Sequence, residues 1–168
     1  MTLGMSLETF TLVHVVISLI AIVSGLVVLF GMTVGRRLDA LNGIFLTLTV
    51  LTSVTGFGFP IHGITPGIVV GILSLIVLAI ALFARYGRHL AGGWRRTYVI
   101  TASIALYFNC FVLVVQLFEK VPAIKALAPT QKEPPFAIAQ ITLLALFVVL
   151  TTIAAKKFRE VRAAASAN

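Results

Sequence analysis

The chain has 168 residues, of which 60% are hydrophobic and 11% are charged, and its formal net charge is +8 at pH 7. A soluble domain carries about 25% charged residues, so this chain has too few charges to cover a water-facing surface, and lipid is predicted to surround most of it. The positive charge does not predict nucleic-acid binding, because ten of the thirteen cations flank apolar segments instead of forming a soluble basic face.

Five apolar segments follow one another along the chain, and each has the length of a membrane-spanning helix. They cover residues 10–32, 41–59, 66–84, 98–118 and 136–155, and none contains Asp, Glu, Lys or Arg. A helix needs about 20 mostly apolar residues to cross the hydrocarbon core. Backbone polar groups in lipid must be bonded within their own segment, which predicts helices. The predicted fold class is therefore all-α: a single domain formed by a bundle of five transmembrane helices.

The cations lie on alternate connections and so predict the orientation of the bundle. Ten lie in the first connection, in the third connection or after the last span: Arg36, Arg37, Arg85, Arg88, Arg95, Arg96, Lys156, Lys157, Arg159 and Arg162. The other three, Lys120, Lys125 and Lys132, lie in the fourth connection. The positive-inside rule then predicts an N-terminus outside the cytoplasm and a cytoplasmic tail, residues 156–168.

The two connections predicted on the outer side differ in length. Residues 60–65 form a short turn, whereas residues 119–135 form the long fourth connection. In the long one, Val121, Ile124 and Leu127 recur at helical spacing in a stretch that contains Pro122 and ends at Pro129. This spacing predicts a short helix lying on the membrane surface, and a plain extended loop is the alternative.

Polar residues within the predicted spans concentrate in the outer half of the bundle, together with aromatic residues. Hydrogen-bonding groups between aromatic walls are typical of a small-molecule pocket. The residues predicted to bind a ligand are His14, Ser18, Phe57, Asn109, Phe111, Gln116 and Gln140, with His62 and Glu119 at the rim. His14 is the foremost candidate, because an ionisable group within a span indicates a functional site. The alternative is a neutral imidazole that bonds to a neighbouring helix, through Ser18 or Gln116, and serves packing.

Three functional hypotheses use this cluster. A quinone would bond to His14 and to Gln116 or Gln140, with phenylalanines stacked on its ring. A haem would take His14 and His62 as axial ligands, although the three histidines do not match the pattern of membrane cytochromes. In the third hypothesis the polar stripe packs against a protein partner or a second copy. The leading hypothesis is a non-enzymatic subunit or small-ligand-binding protein, and the alternative is a redox protein that binds quinone or haem near His14.

Neither a catalytic site nor a metal site is predicted. Zinc needs three or four converging ligands, which three scattered histidines and one apolar-run cysteine do not supply. Stripes of small residues, such as Ala21 and Gly25 in the first span and Ala102 and Ala105 in the fourth, predict close packing of helices at the centre of the bundle.

The third connection is the most basic part of the chain. Its arginines are predicted to contact anionic lipid headgroups or the acidic surface of a partner: Arg85, Arg88, Arg95 and Arg96. The alternative is that they only determine orientation, for which the same residues are already needed.

Three stretches carry a resemblance to known proteins: LVHVVISLI at residues 12–20, GFGFP at residues 56–60 and APTQKEPPF at residues 128–136. They resemble small multi-span proteins of the bacterial inner membrane that have no assigned activity. The resemblance implies a bacterial inner-membrane location, and it carries no functional residues with it.

Overall fold

The computed structural model describes residues 4–60 and 66–165, and the elements in these two ranges are helices. They are α1 (Leu7–Thr33), α2 (Asp39–Gly56), α3 (Pro66–Leu82), α4 (Trp94–Lys120), α5 (Pro122–Lys125) and α6 (Pro134–Ala165). A π-helical turn, Phe83–Gly87, continues α3. The predicted all-α fold class is confirmed. The last helix extends well beyond the predicted span, because its apolar run continues into the helix-forming residues of the tail.

Within residues 4–60 and 66–165, four helical segments are long and apolar enough to cross a membrane: Leu7–Thr33, Gly67–Gly87, Trp94–Lys120 and Pro134–Phe158. At a rise of about 1.5 Å per residue, each covers the hydrocarbon core of roughly 30 Å. The chain is therefore of the membrane-protein class. α2 is not among the four, because its 18 residues include Asp39, Asn42 and several hydroxyl side chains, which lower its mean hydropathy. The fifth span stays a prediction.

Local sequence explains where the helices begin and end. At the start of α1, the Ser6 hydroxyl accepts a hydrogen bond from the Thr9 backbone N–H at 3.1 Å, which caps one of the unpaired amides of the first turn. After α1, Gly35 has a φ of +72°, a backbone conformation that glycine adopts without strain. After the π-helical turn, His89 and Leu90 both have positive φ values. Together they reverse the chain sharply, and α4 begins at Trp94.

The long helices form a ring in the order α1, α2, α3, α4 and α6, and α6 closes the ring against α1. α4 also contacts α1 and α2, so it is the helix with the most neighbours. Large apolar side chains such as Phe30, Ile76 and Val148 are more than half exposed on the outside. Small or polar side chains, including Ser24, Thr49 and Ser74, are buried inside. This distribution suits a bundle whose solvent is lipid.

Several of the small residues that predict close packing are indeed buried. Ala21 and Ala105 have no exposed surface, and Gly25 and Ala102 are also buried. Across α2 and α3, the Ser53 hydroxyl donates to the Ser74 hydroxyl at 3.1 Å. Close packing is therefore the structural role of these stripes.

The long connection contains the short helix α5, a single turn over Pro122–Lys125. The side-chain amide of Gln131 donates to the Val115 carbonyl at 3.2 Å and attaches this connection to α4. Immediately before α6, the Glu133 carboxylate accepts hydrogen bonds from the hydroxyl of Thr130 at 2.8 Å and the backbone N–H of Lys132 at 3.1 Å. The fourth connection is thus bonded to α4, and hydrogen bonds within it fix the turn that precedes α6.

Candidate functional site

A cavity of about 710 Å³ lies between α4 and α6, and we call it the α4–α6 groove. Its walls are largely apolar: Ile100, Ile104, Leu144, Phe147, Val148 and Ala155. Its polar lining consists of Ser103, Tyr107, Thr151 and Thr152, with Arg96 and Lys156 at one end. Arg96 was predicted from the sequence to be a contact residue, but Lys156 was not. The two residues are far apart in sequence, and only the antiparallel packing of α4 against α6 brings them to the same cavity.

Aromatic side chains lie at the end of the groove away from its two cations. The Tyr107 ring packs edge-on against Phe147, with ring centroids 5.6 Å apart, and it also contacts Phe111 at 6.2 Å. Phe147 is buried. The groove therefore has a cationic end and an aromatic end, with apolar walls between them.

The four arginines of the third connection do not form one surface. Arg85 is largely buried. Arg88 is exposed, and the guanidinium of Arg88 lies 5.5 Å from the centroid of the Trp94 ring. Arg95 is half-buried, and Arg96 is exposed at the groove. Of the four, Arg96 alone lines this cavity.

Arg85 belongs to a polar network that joins α2, the π-helical turn and α4. Its Nη2 donates to Oδ1 of Asp39 at 2.6 Å, and its guanidinium lies 5.6 Å from the centroid of the Tyr98 ring. Asn42 and Tyr98 are both almost fully buried, and their side chains are hydrogen-bonded to each other. When the amide oxygen of Asn42 faces Arg85, it accepts from Nη1 at 2.7 Å and from Nε at 3.0 Å.

This network favours the ionised form of the Asp39 carboxylate. The hydrogen bond from Arg85 lowers the pKa of Asp39, partial burial opposes this effect, and the nearby charge of Arg37 adds to it. Sequence reasoning missed the network, because Asn42 and Tyr98 are 56 positions apart. The only sequence signal was the presence of Asn42 and Tyr98 within predicted apolar spans.

His14 makes a different contact from the one predicted for it. Its Nδ1 lies 2.8 Å from the hydroxyl of Thr55 on α2, and that hydroxyl lies 2.7 Å from the Leu51 carbonyl. The hydroxyl has one hydrogen and the carbonyl can only accept, so the hydroxyl donates to Leu51 and Nδ1 carries the imidazole proton. Nε2 is then the acceptor atom of the ring. The predicted partner Ser18 instead donates to the backbone carbonyl of His14 at 2.6 Å.

Aromatic rings also lie beside His14, as predicted from the sequence for the half of the bundle that contains His14. The Phe59 ring meets the imidazole edge-on with centroids 5.1 Å apart, and Phe10 packs on Phe59 at 5.0 Å. Phe57, which was predicted to line a pocket, is half-buried and packs against α3. If Gly71 carried a Cβ, that atom would lie 3.0 Å from Cζ of Phe57. His62, the predicted rim residue and haem ligand, lies outside the described residues.

The remaining predicted ligand residues belong to α4 and α6. Gln140 is buried and its amide donates to the Phe111 carbonyl at 3.3 Å, while its Oε1 has no hydrogen-bond partner among the described residues. Nδ2 of Asn109 likewise has none within the part of the chain that the structure describes. Gln116 and Glu119 are exposed. The predicted residues therefore do not form one pocket: His14 bonds to Thr55 between α1 and α2, whereas Gln140 bonds to Phe111 between α4 and α6.

No protein family, no curated protein and no solved structure matches this chain. The class of protein therefore follows from the fold alone. It is a membrane protein whose described elements are all helices, four of which are long and apolar enough to cross a bilayer.

Proposed function

We propose that this is a non-enzymatic membrane protein that binds a lipid-like small molecule in the α4–α6 groove. The volume of about 710 Å³ supports this, because ligand sites commonly enclose roughly 300–1,000 Å³ between apolar walls with a few polar groups. The lining residues have that composition. The predicted small-ligand function is kept, but the proposed site lies between α4 and α6 instead of around His14.

A variant that fills the groove tests this function. In Ile104→Trp the larger indole occupies the groove, and we expect the fraction of purified protein that carries a bound lipid-sized molecule to fall at least about tenfold. Native mass spectrometry of the detergent-purified protein measures this fraction. Leu146→Trp is the matched control, because Leu146 lies on α6 outside the groove and is 51% exposed. Equal retention of the ligand by both variants would overturn the proposal.

The topology proposed with this function has five spans, the N-terminus outside the cytoplasm and the C-terminus inside, in a bacterial inner membrane. α2 is the additional span. It covers about 27 Å, near the thickness of the hydrocarbon core. Its side chains Ile44, Leu51 and Val54 are exposed on the outer side of the bundle, whereas Asn42 and Thr49 are buried, a distribution that suits a helix facing lipid.

Reporter fusions at the two termini test this topology. The positive-inside rule predicts that an N-terminal reporter is active only outside the cytoplasm and a C-terminal reporter only inside it. Activity of both reporters in one compartment requires an even number of spans and excludes the five-span arrangement. Fusions within residues 36–38 and 88–93 serve as controls, since both connections are expected on the cytoplasmic side.

The alternative function, a redox protein with quinone or haem near His14, is supported by one feature. Nδ1 of His14 is bonded to Thr55, and this leaves Nε2 as an acceptor for a quinol hydroxyl or as a ligand for haem iron. Identification of the molecule extracted from the purified protein separates the two functions. If the extracted molecule is a quinone, the redox function is favoured over the groove ligand. The same holds if the wild-type protein has a Soret band that is lost in His14→Leu.

A further inference from the structure

We infer that the α4–α6 groove selects a phospholipid with an anionic headgroup from the leaflet at the arginine-rich end of the bundle. This inference rests on the proposed function and adds the chemical class of the ligand. It follows from three features of the groove: the charge at one end, the electrostatics of the α4 N-terminus, and the length of the apolar walls.

The charged side chains that the structure describes in the groove lining are both cationic. Arg96 and Lys156 are exposed there, and the described lining residues include no carboxylate. Long cationic side chains lay their methylene stems along apolar surface and keep their charged ends at the membrane–water interface. Two cations at one end of an apolar groove thus complement a headgroup of net negative charge whose acyl chain lies in the groove.

The beginning of α4 adds to this positive charge. A helix N-terminus carries a partial positive charge that a side-chain cap or an acidic residue usually offsets. α4 has neither, since its N-cap is Gly93 and its first turn contains no acidic residue. The first turn instead contains Arg95 and Arg96. An anion at this end of the groove therefore lies in the combined field of the helix dipole and the cations.

The length of the groove matches one leaflet. Along α4 its lining extends from Arg96 to Tyr107, which is about 16 Å at 1.5 Å per residue. Half of the hydrocarbon core measures about 15 Å. A lipid with its headgroup at Arg96 and Lys156 thus places its acyl chain along Ile100 and Ile104. The chain ends near the ring of Tyr107, close to the middle of the bilayer.

Lipids that differ only in the headgroup test the inference. Full-length delipidated protein is titrated with dioleoyl phosphatidylglycerol and with dioleoyl phosphatidylcholine, and binding is measured by native mass spectrometry. Each cation near the surface strengthens binding of an anionic lipid roughly fivefold, so the two give a preference for phosphatidylglycerol of about 25-fold. The double variant Arg96→Gln with Lys156→Gln is expected to bind both lipids equally. The charge-preserving pair Arg96→Lys with Lys156→Arg retains the preference.

A second pair of cations controls for total charge. Arg36→Gln with Arg88→Gln removes two positive charges at the same end of the bundle but outside the groove, and the preference is expected to remain. The inference is overturned if the wild-type protein shows no preference, or if this control loses the preference as fully as the groove variant. The proposed function fails separately, if Ile104→Trp binds both lipids as the wild type does. If Ile104→Trp blocks both lipids while the charge variants change nothing, the groove is a binding site without headgroup selectivity.

Discussion

Arg85→Met is expected to lower the free energy of unfolding by about 2 kcal/mol, mainly because it removes the charged donor that faces the amide of Asn42. Asn42 is 2% exposed and cannot bond to water instead. The ion pair with Asp39 contributes less, because the Asp39 side chain is 63% exposed and solvent screens the interaction. Arg85→Lys is expected to recover only part of the loss, since a single ammonium group cannot reproduce the geometry of a guanidinium that bonds to two side chains.

The control for this prediction is Arg88→Met in the same connection. Arg88 is exposed and stacks on Trp94, and such a contact contributes about 0.5–1 kcal/mol at exposed sites. Unfolding in mixed micelles with increasing denaturing detergent measures both variants against the wild type. Equal losses for Arg85→Met and Arg88→Met would mean that the buried network adds nothing to stability.

The same comparison has a defined pH dependence. The hydrogen bond from Arg85 lowers the pKa of Asp39, so folding favours the ionised carboxylate. This contribution is fully present above the unfolded pKa of about 3.9 and is lost as the pH falls through the lower folded pKa. The difference in stability between wild type and Arg85→Met is therefore expected to shrink below about pH 4. It does not vanish, because the bond between Arg85 and Asn42 involves no group that titrates there.

Hydropathy predicted the helices of this protein well, because an uncharged segment long enough to cross a bilayer has few alternatives to a helix in lipid. α2 is the informative exception. Asp39 and Asn42 lower its apolar character, yet both belong to the network around Arg85, so the polarity that weakens the membrane signal serves the packing of the bundle. The network itself could not be predicted, since it depends on which faces of three helices meet.

The candidate site was predicted less well for a related physical reason. In a soluble helix an apolar stripe marks the side that faces the protein, but in lipid both sides are apolar and the stripe is lost. Nothing in the sequence therefore indicates that Arg96 and Lys156 share one cavity, or that His14 bonds to Thr55 across 41 positions. The sequence does give the position of each residue along its helix, and hence the predicted depth of that residue in the bilayer. Depth correctly indicated that Arg96 lies near one end of the bundle and His14 near the other.

Gly25→Ala is expected to lower the free energy of unfolding by about 1–3 kcal/mol, although alanine is ordinarily the better helix former. A Cβ at Gly25 would lie 2.6 Å from Cδ1 of Leu106 and 2.7 Å from Cδ2 of Phe45. Both neighbours are buried, at 1% and 2% exposure, so they cannot move aside without disturbing the contact of α1 with α2 and α4. The size of the effect reports how closely these three helices pack.

Gly43→Ala provides the matched control for this second prediction, because Gly43 is also helical but a Cβ there has no neighbour within 4 Å. Its expected effect has the opposite sign, a gain of up to about 1 kcal/mol from helix propensity alone. The same detergent-induced unfolding measures both variants. Opposite signs require that packing at Gly25 outweighs propensity, as it must where lipid supplies no hydrophobic drive for association and helices are held by close contact. A gain in stability at both glycines would show that the junction of α1, α2 and α4 has room for a methyl group and is not the tight contact on which the bundle depends.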